Sequence, residues 1–130
     1  MKIQISTLDN TGDARGLAFT APSHALDFVG GIADIHFASV SPGTVRGNHY
    51  HLHKRQAVIL FPGAAWSLHW DEGEGTPVQR NSFDGNRAVM VLISPGGSLA
   101  VRNDGENPLW LAMCSSKPYD PDDIVARKVI

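Results

Sequence analysis

GTVRGNHYHLHKRQAVILFPG, residues 43–63, places His49, His51 and His53 at alternate positions, after Arg46 and ahead of a closing Pro62-Gly63. On a strand, successive side chains alternate faces, so the three histidines are expected to point one way and Tyr50 and Leu52 the other. A row of imidazoles on a half-buried face has no packing rationale. It needs polar partners, a metal or a substrate.

Working outward, the rest of the chain is short β-rich segments punctuated by 13 glycines and 8 prolines. Strands are expected at Lys2–Ile5, Gly16–Thr20, Gly31–Val40, Val45–Leu52, Gln56–Phe61, Ala64–Trp70, Pro77–Phe83, Arg87–Ile93, Ser98–Arg102 and Pro108–Ser115. They recur every 8 to 12 residues or so, the rhythm of a sandwich or closed barrel. Asp84-Gly85-Asn86, Pro95-Gly96-Gly97 and Asn103-Asp104-Gly105 supply the turns between apolar runs. Helix is expected only as one turn near Pro22–Phe28 and a short piece from Asp120, where an N-cap Asp, a first-turn Pro and acids precede Ile124-Val125. Those β-branched residues also allow an edge strand; the helix is preferred. Strands without helices must bury one face against another sheet, and a double-sheet jelly roll does this with 8 to 10 short strands or so.

Composition narrows the function. A chain of 130 residues with 42% hydrophobic content suits a single domain, taken as residues 1–130. A net charge of −2 and no basic run argue against a nucleic-acid groove or an anionic-membrane patch. The apolar runs are too short to span a bilayer, and the opening MKIQIS is no secretory signal, so a cytoplasmic protein is expected. The one cysteine, Cys114, excludes an intrachain disulfide and is read as a small buried hydrophobe.

Residues 43–63 resemble the first motif of the cupin superfamily: a glycine, five residues, His-x-His, four residues, a glutamate, six residues, a glycine. Gly43, His49, His51 and Gly63 stand at those spacings, with Gln56 in place of the glutamate. The second cupin motif, Pro-x-Gly, two residues, His, three residues, Asn, is met by Gly96 and Asn103, but Ser94 replaces the proline and Leu99 the histidine. The resemblance implies an all-β, double-stranded β-helix (the cupin jelly-roll barrel) with little helix. In metal cupins these positions hold a divalent ion. Here they read His49, His51, Gln56 and Leu99, and Leu99 cannot ligate. No cofactor is therefore favoured. A divalent Zn, Fe, Mn or Ni ion is the alternative, with His49, His51, Gln56 and His53 as its ligands.

A narrower resemblance follows. Arg46-Gly47-Asn48-His49-Tyr50-His51, then Lys54 and Gln56, is similar to the signature of sugar-nucleotide cupins: epimerases, keto-deoxysugar isomerases and capsular-polysaccharide enzymes. The ending Pro118-Tyr119-Asp120-Pro121-Asp122-Asp123 is similar to theirs too. This implies isomerisation or epimerisation of a nucleotide-linked keto-deoxysugar by histidine acid–base chemistry. His49 and His51 would be the catalytic pair, one as base and one as acid. Arg46, Lys54, Gln56 and His69 would bind substrate. The partner is then a small molecule, a nucleotide sugar, and the oligomer a homodimer that covers edge strands. A metal-dependent dioxygenase, lyase or isomerase and a non-catalytic sugar-binding cupin are the competing readings.

Several residues also have plainer readings. Arg46, Lys54, His24 and His53, taken singly, read as surface groups. His36 reads as a strand histidine paired with Asp34. His69 alternates with Trp66 and Trp70, so either the tryptophans form core or His69 faces the cavity.

Overall fold

A computed structural model describes residues 1–130. Ten strands form two five-stranded antiparallel sheets. The first, in the order β1-β7-β4-β9-β2, comprises β1 (Ile3–Leu8), β7 (Ala88–Ile93), β4 (Gln56–Leu60), β9 (Leu109–Ser115) and β2 (Asp34–Val40). The second, β10-β3-β8-β5-β6, comprises β10 (Ile124–Ala126), β3 (Val45–His51), β8 (Ser98–Asn103), β5 (Trp66–Asp71) and β6 (Gln79–Phe83). Neighbouring strands within each sheet are mostly distant in sequence, as a double-stranded β-helix requires.

Alternation sorts the side chains. The inner faces share one core that includes Val58 and Leu60 from β4, Val89, Val91 and Ile93 from β7, and Trp66, Leu68 and Trp70 from β5. Trp66, 1% exposed, stacks on Phe83 with ring centroids 4.3 Å apart. The two tryptophans are thus core, as one of the two sequence readings required. The unbroken apolar run Ala88–Ile93 has a second reason. Its other face, Ala88, Met90 and Leu92, packs with Leu8 and Ala57 beneath Ala25 and Val29 of α1 (Ser23–Val29). A strand covered on both faces loses its polar alternation. The helix stops at Gly30, which takes φ 77° and donates its N–H to the Leu26 carbonyl.

Two expectations need correction. Gly16–Thr20 is not a strand. Asn10 accepts from the N–H groups of Gly12 and Ala18, and Asp13 bridges to Gly16, so the segment closes on itself while Phe19 packs over the outer face. Nor does a helix continue past Asp123. Asp120 caps a single 3₁₀ turn, Pro121–Asp123, after which Ile124–Ala126 pair with β3. The β-branched pair gains a strand partner there that an isolated turn of helix would not supply.

The ends of the motifs are structural. Gly96, at φ 87°, donates to the His51 carbonyl at 2.8 Å and so ties the β7–β8 turn to the end of β3. Asn103 closes the second motif: its amide donates to the carbonyls of Val40 and Asn107, and its oxygen accepts from Gly105.

Candidate active site

The histidine strand is not regular. Between Gly47 and His49 its register against β8 shifts, with Asn48 in the left-handed region at φ 60°. This β-bulge puts Arg46, which strict alternation would aim away from His49 and His51, on the same inner face as both. Gly47 permits the bulge. A Cβ there would lie 2.5 Å from the Leu99 carbonyl oxygen, and its φ is 113°. The Asn48 side chain in turn accepts from the N–H groups of Val129 and Ile130, holding the C-terminal segment beside β3.

Inside the barrel lies a cavity of about 560 Å³. Arg46, His49, His51, Lys54 and Gln56 line it, together with Leu99, Val101 and Leu111 on an apolar side. Five of the expected site residues therefore meet around one space. Arg46 and Lys54 bring two fixed cations, and Asp34 is the one carboxylate on the wall. Lys54 is 5% exposed, so it is not the surface group its position near a strand end implied. Gln56 donates to Ser115 Oγ at 3.0 Å in a buried pair. Arg46 Nε donates to the Ser39 carbonyl at 2.7 Å, which leaves its terminal nitrogens for other partners.

The two histidines differ. Their ring centroids are 5.2 Å apart and the rings stand at 78° to one another. His51 is 7% exposed and turns Nδ1 toward Asp123 Oδ2, 3.5 Å away. Neither of those atoms has a closer polar partner. A carboxylate at Nδ1 favours the tautomer with its proton there, which leaves Nε2 as the nitrogen able to accept one. Burial, and then the charges of His49 and Lys54, push the His51 pKa down to about 4 against the opposing pull of Asp123. Burial pushes the Asp123 carboxyl up. Hydrogen bonds from the His53 ring and backbone, and the nearby His51, outweigh it and hold the group below the usual carboxylate range. His51 is therefore neutral at physiological pH, in the form a general base requires.

Two expected site residues lie elsewhere. His53 does not join His49 and His51. The strand ends at His51, the chain turns, and the His53 ring sits outside against Asp123 Oδ1 at 2.9 Å. His69 is on the outer face of β5, opposite Trp66, Leu68 and Trp70, with Nε2 3.0 Å from Ser67 Oγ. Packing the two tryptophans inward forces it there. Cys114 is partly exposed rather than buried, because its face of β9 is the outer one.

The sequence reading also missed wall residues. Asp34 and His36, taken for a self-contained pair, both line the cavity, as does Tyr119, 72% exposed. Asp123 was read only as a first-turn acid. Its nearness to His51 arises from β10 pairing with β3 and from its carbonyl accepting the Leu52 N–H. No local pattern marks it, although the Tyr119–Asp123 ending was the one available hint.

A divalent ion does not fit this donor set. Leu99 occupies one motif position, Gln56 offers a neutral amide already paired with Ser115, and His53 faces away. No three His, Cys, Asp or Glu side chains are placed so that they could hold a metal ion.

A double-stranded β-helix whose interior opens into a cavity walled by a His-x-His pair defines the cupin class of fold. More narrowly, the chain belongs to the polysaccharide biosynthesis C-terminal domain family, which it matches over residues 13–124. Its fold is that of the 3,4-ketoisomerase QdtA from Thermoanaerobacterium thermosaccharolyticum, solved with TDP, at a TM-score of 0.69 and 16% identity over 95% of this chain and 87% of that one. A 3,4-ketoisomerase from Helicobacter canadensis is similar at a TM-score of 0.70 and 19% identity, over 96% and 90% of the two chains. ChmJ, a 3'-monoepimerase from Streptomyces bikiniensis solved with dTDP-quinovose, is similar at 0.78 and 18% identity, over 96% and 69%. No curated protein sequence matches the chain.

Proposed function

We propose that residues 1–130 act as one cupin unit that isomerises or epimerises a nucleotide-linked keto-deoxysugar by metal-free histidine acid–base catalysis. The observation that carries this reading is His51, buried in the cavity wall with Nδ1 turned to Asp123 and His49 beside it. His51 Nε2 takes the proton next to the sugar ketone, and the C–H electron pair moves onto the carbonyl oxygen to give an enolate. Lys54 and Arg46, both on the cavity wall, offset that charge or bind the diphosphate. His49 returns a proton, either to the former carbonyl carbon, while the neighbouring hydroxyl gives its proton to the enolate oxygen and becomes the new ketone, or to the opposite face of the same carbon. Gln56 orients the sugar. Two proteins of the same fold, a sugar 3,4-ketoisomerase and a 3'-monoepimerase, support this choice of reaction. A cytoplasmic site for the reaction is part of the same proposal, and it rests on that substrate. No helix of the chain is long and apolar enough to cross a membrane.

The test is incubation with TDP-4-keto-6-deoxyglucose in heavy water, followed by NMR of the sugar protons. Loss of the proton next to the ketone with formation of an isomer or epimer is expected. Tight binding without exchange would leave a binding protein instead.

We also propose a homodimer. Ile35, Phe37 and Trp110, between 54% and 66% exposed, share the outer face of β2 and β9, and β2 is the unpaired edge of its sheet. A second copy that continues the sheet would cover both liabilities. Sedimentation velocity should show twice the chain mass, and Phe37→Lys should halve it. A wild-type monomer at tens of micromolar would end the idea.

A further inference from the structure

Asp123 stands between two hollows. On one side is the main cavity, with His51 in its wall. On the other is a smaller polar hollow lined by His53, Lys117, Pro118, Asp120 and Asp123 itself. One carboxylate oxygen serves each side. Oδ2 lies 3.5 Å from His51 Nδ1, while Oδ1 lies 2.9 Å from His53 Nδ1 and 2.8 Å from the His53 backbone N. The side chains of His51 and Asp123 are 8% and 5% exposed, and that of His53 is 71% exposed. A buried carboxylate thus joins a shielded imidazole to one in solvent.

The plane of that carboxylate decides whether Oδ2 faces His51, and the hydrogen bonds that fix the plane come from His53. We propose that His53 is a positioning residue for the reaction: its Nδ1–H holds Asp123 so that Oδ2 faces His51 and keeps the His51 proton on Nδ1, away from the substrate. The inference rests on the functional reading above for its catalytic consequence, but not for its geometry. His53 does not touch the cavity and acts only through Asp123. The other ionisable groups around this chain are His49 and Lys54 on the cavity side, Tyr119 at the mouth, and Lys117 and Asp120 across the hollow. None of their side chains makes a hydrogen bond to Asp123; the Lys54 backbone N–H also favours the carboxylate, but it stays in place whichever side chain stands at 53.

The test compares His53→Leu, which removes the ring donor, with His53→Asn, whose amide nitrogen can occupy the position of Nδ1. The first readout needs no substrate. In protein labelled with ¹⁵N at histidine, the ring shifts of His51 report which nitrogen carries its proton. His53→Leu should move the His51 signals toward a mixture of tautomers and lower kcat about tenfold at unchanged KM, the size of one lost hydrogen bond to a charged group. His53→Asn should restore both. Unchanged His51 shifts in His53→Leu, or an Asn variant as impaired as the Leu variant, would overturn the proposal. If the wild type turns over no ketosugar, the functional reading fails, and the His51 shifts alone decide the role of His53. His53→Leu leaves the buried Asp123 Oδ1 with the backbone N–H of residue 53 and should melt a little below the wild type, and His53→Asn should recover most of that loss.

Discussion

On the proposed function, His51→Asn should abolish proton exchange from a nucleotide-linked ketosugar while leaving nucleotide affinity and the melting temperature near the wild-type values. The expected loss in kcat is about 10²- to 10⁴-fold, the usual worth of a positioned general base. Asn retains a polar group near Asp123 but has no nitrogen that can accept a proton. Affinity survives because the fixed cations, Arg46 and Lys54, are untouched. The acid limb of kcat/KM in the wild type should fall as pH drops through about 4, since only neutral His51 accepts a proton. The sign for stability follows from the same shift. Below about 6.5 the unfolded chain takes up a proton that folded His51 resists until about 4, so acid in that window favours unfolding. Stopped-flow or NMR exchange rates across pH settle both points. An Asn variant within threefold of wild type would move the base elsewhere.

The second large effect is on stability. Asp71 ends β5 with its side chain wholly buried and accepts from Arg127 Nε at 3.0 Å and Nη2 at 2.8 Å. Arg127 follows β10, the strap that carries Asp123 toward His51, and its own N–H donates to the Asn48 carbonyl. Arg127→Met keeps the aliphatic stem and strands the Asp71 carboxylate, whose one other partner is the Gly73 N–H. Breaking a buried pair from one side costs about 3 kcal/mol, at the low end here because Arg127 is itself a quarter exposed. For a chain of this size that is a fall in melting temperature on the order of 10 °C. The double variant Asp71→Asn with Arg127→Met should recover part of the loss, since no charge is then left buried. Thermal melts of the three proteins test this. A single variant within 2 °C or so of wild type would show that the ion pair holds nothing together.

Much of the fold was legible because strand alternation and turn chemistry are local. The apolar runs Ala57–Leu60 and Ala88–Ile93 announce buried strands, and Gly96 and Asn103 mark the turns that bound them, although runs apolar on both faces do not say which face is inner. His49 and His51 were legible for the same reason: two residues apart on a strand, they share a face whatever that face meets. Arg46 was named by its motif, but alternation alone would have turned it outward. His53 shows where alternation stops, since nothing in HLHK says that the strand ends at His51.

From sequence alone came the class of architecture, the paired imidazoles and the weakness of the metal set, since each depends on residues a few positions apart. Only the folded chain decided the rest. The bulge at Asn48 turned Arg46 inward, the packing of Trp66 and Trp70 sent His69 out, and β10 brought Asp123 to His51 from 72 positions away in the chain. Those outcomes depend on which strands pair and in what register. Pairing is settled by the burial of the whole core at once, and a single segment carries no record of it.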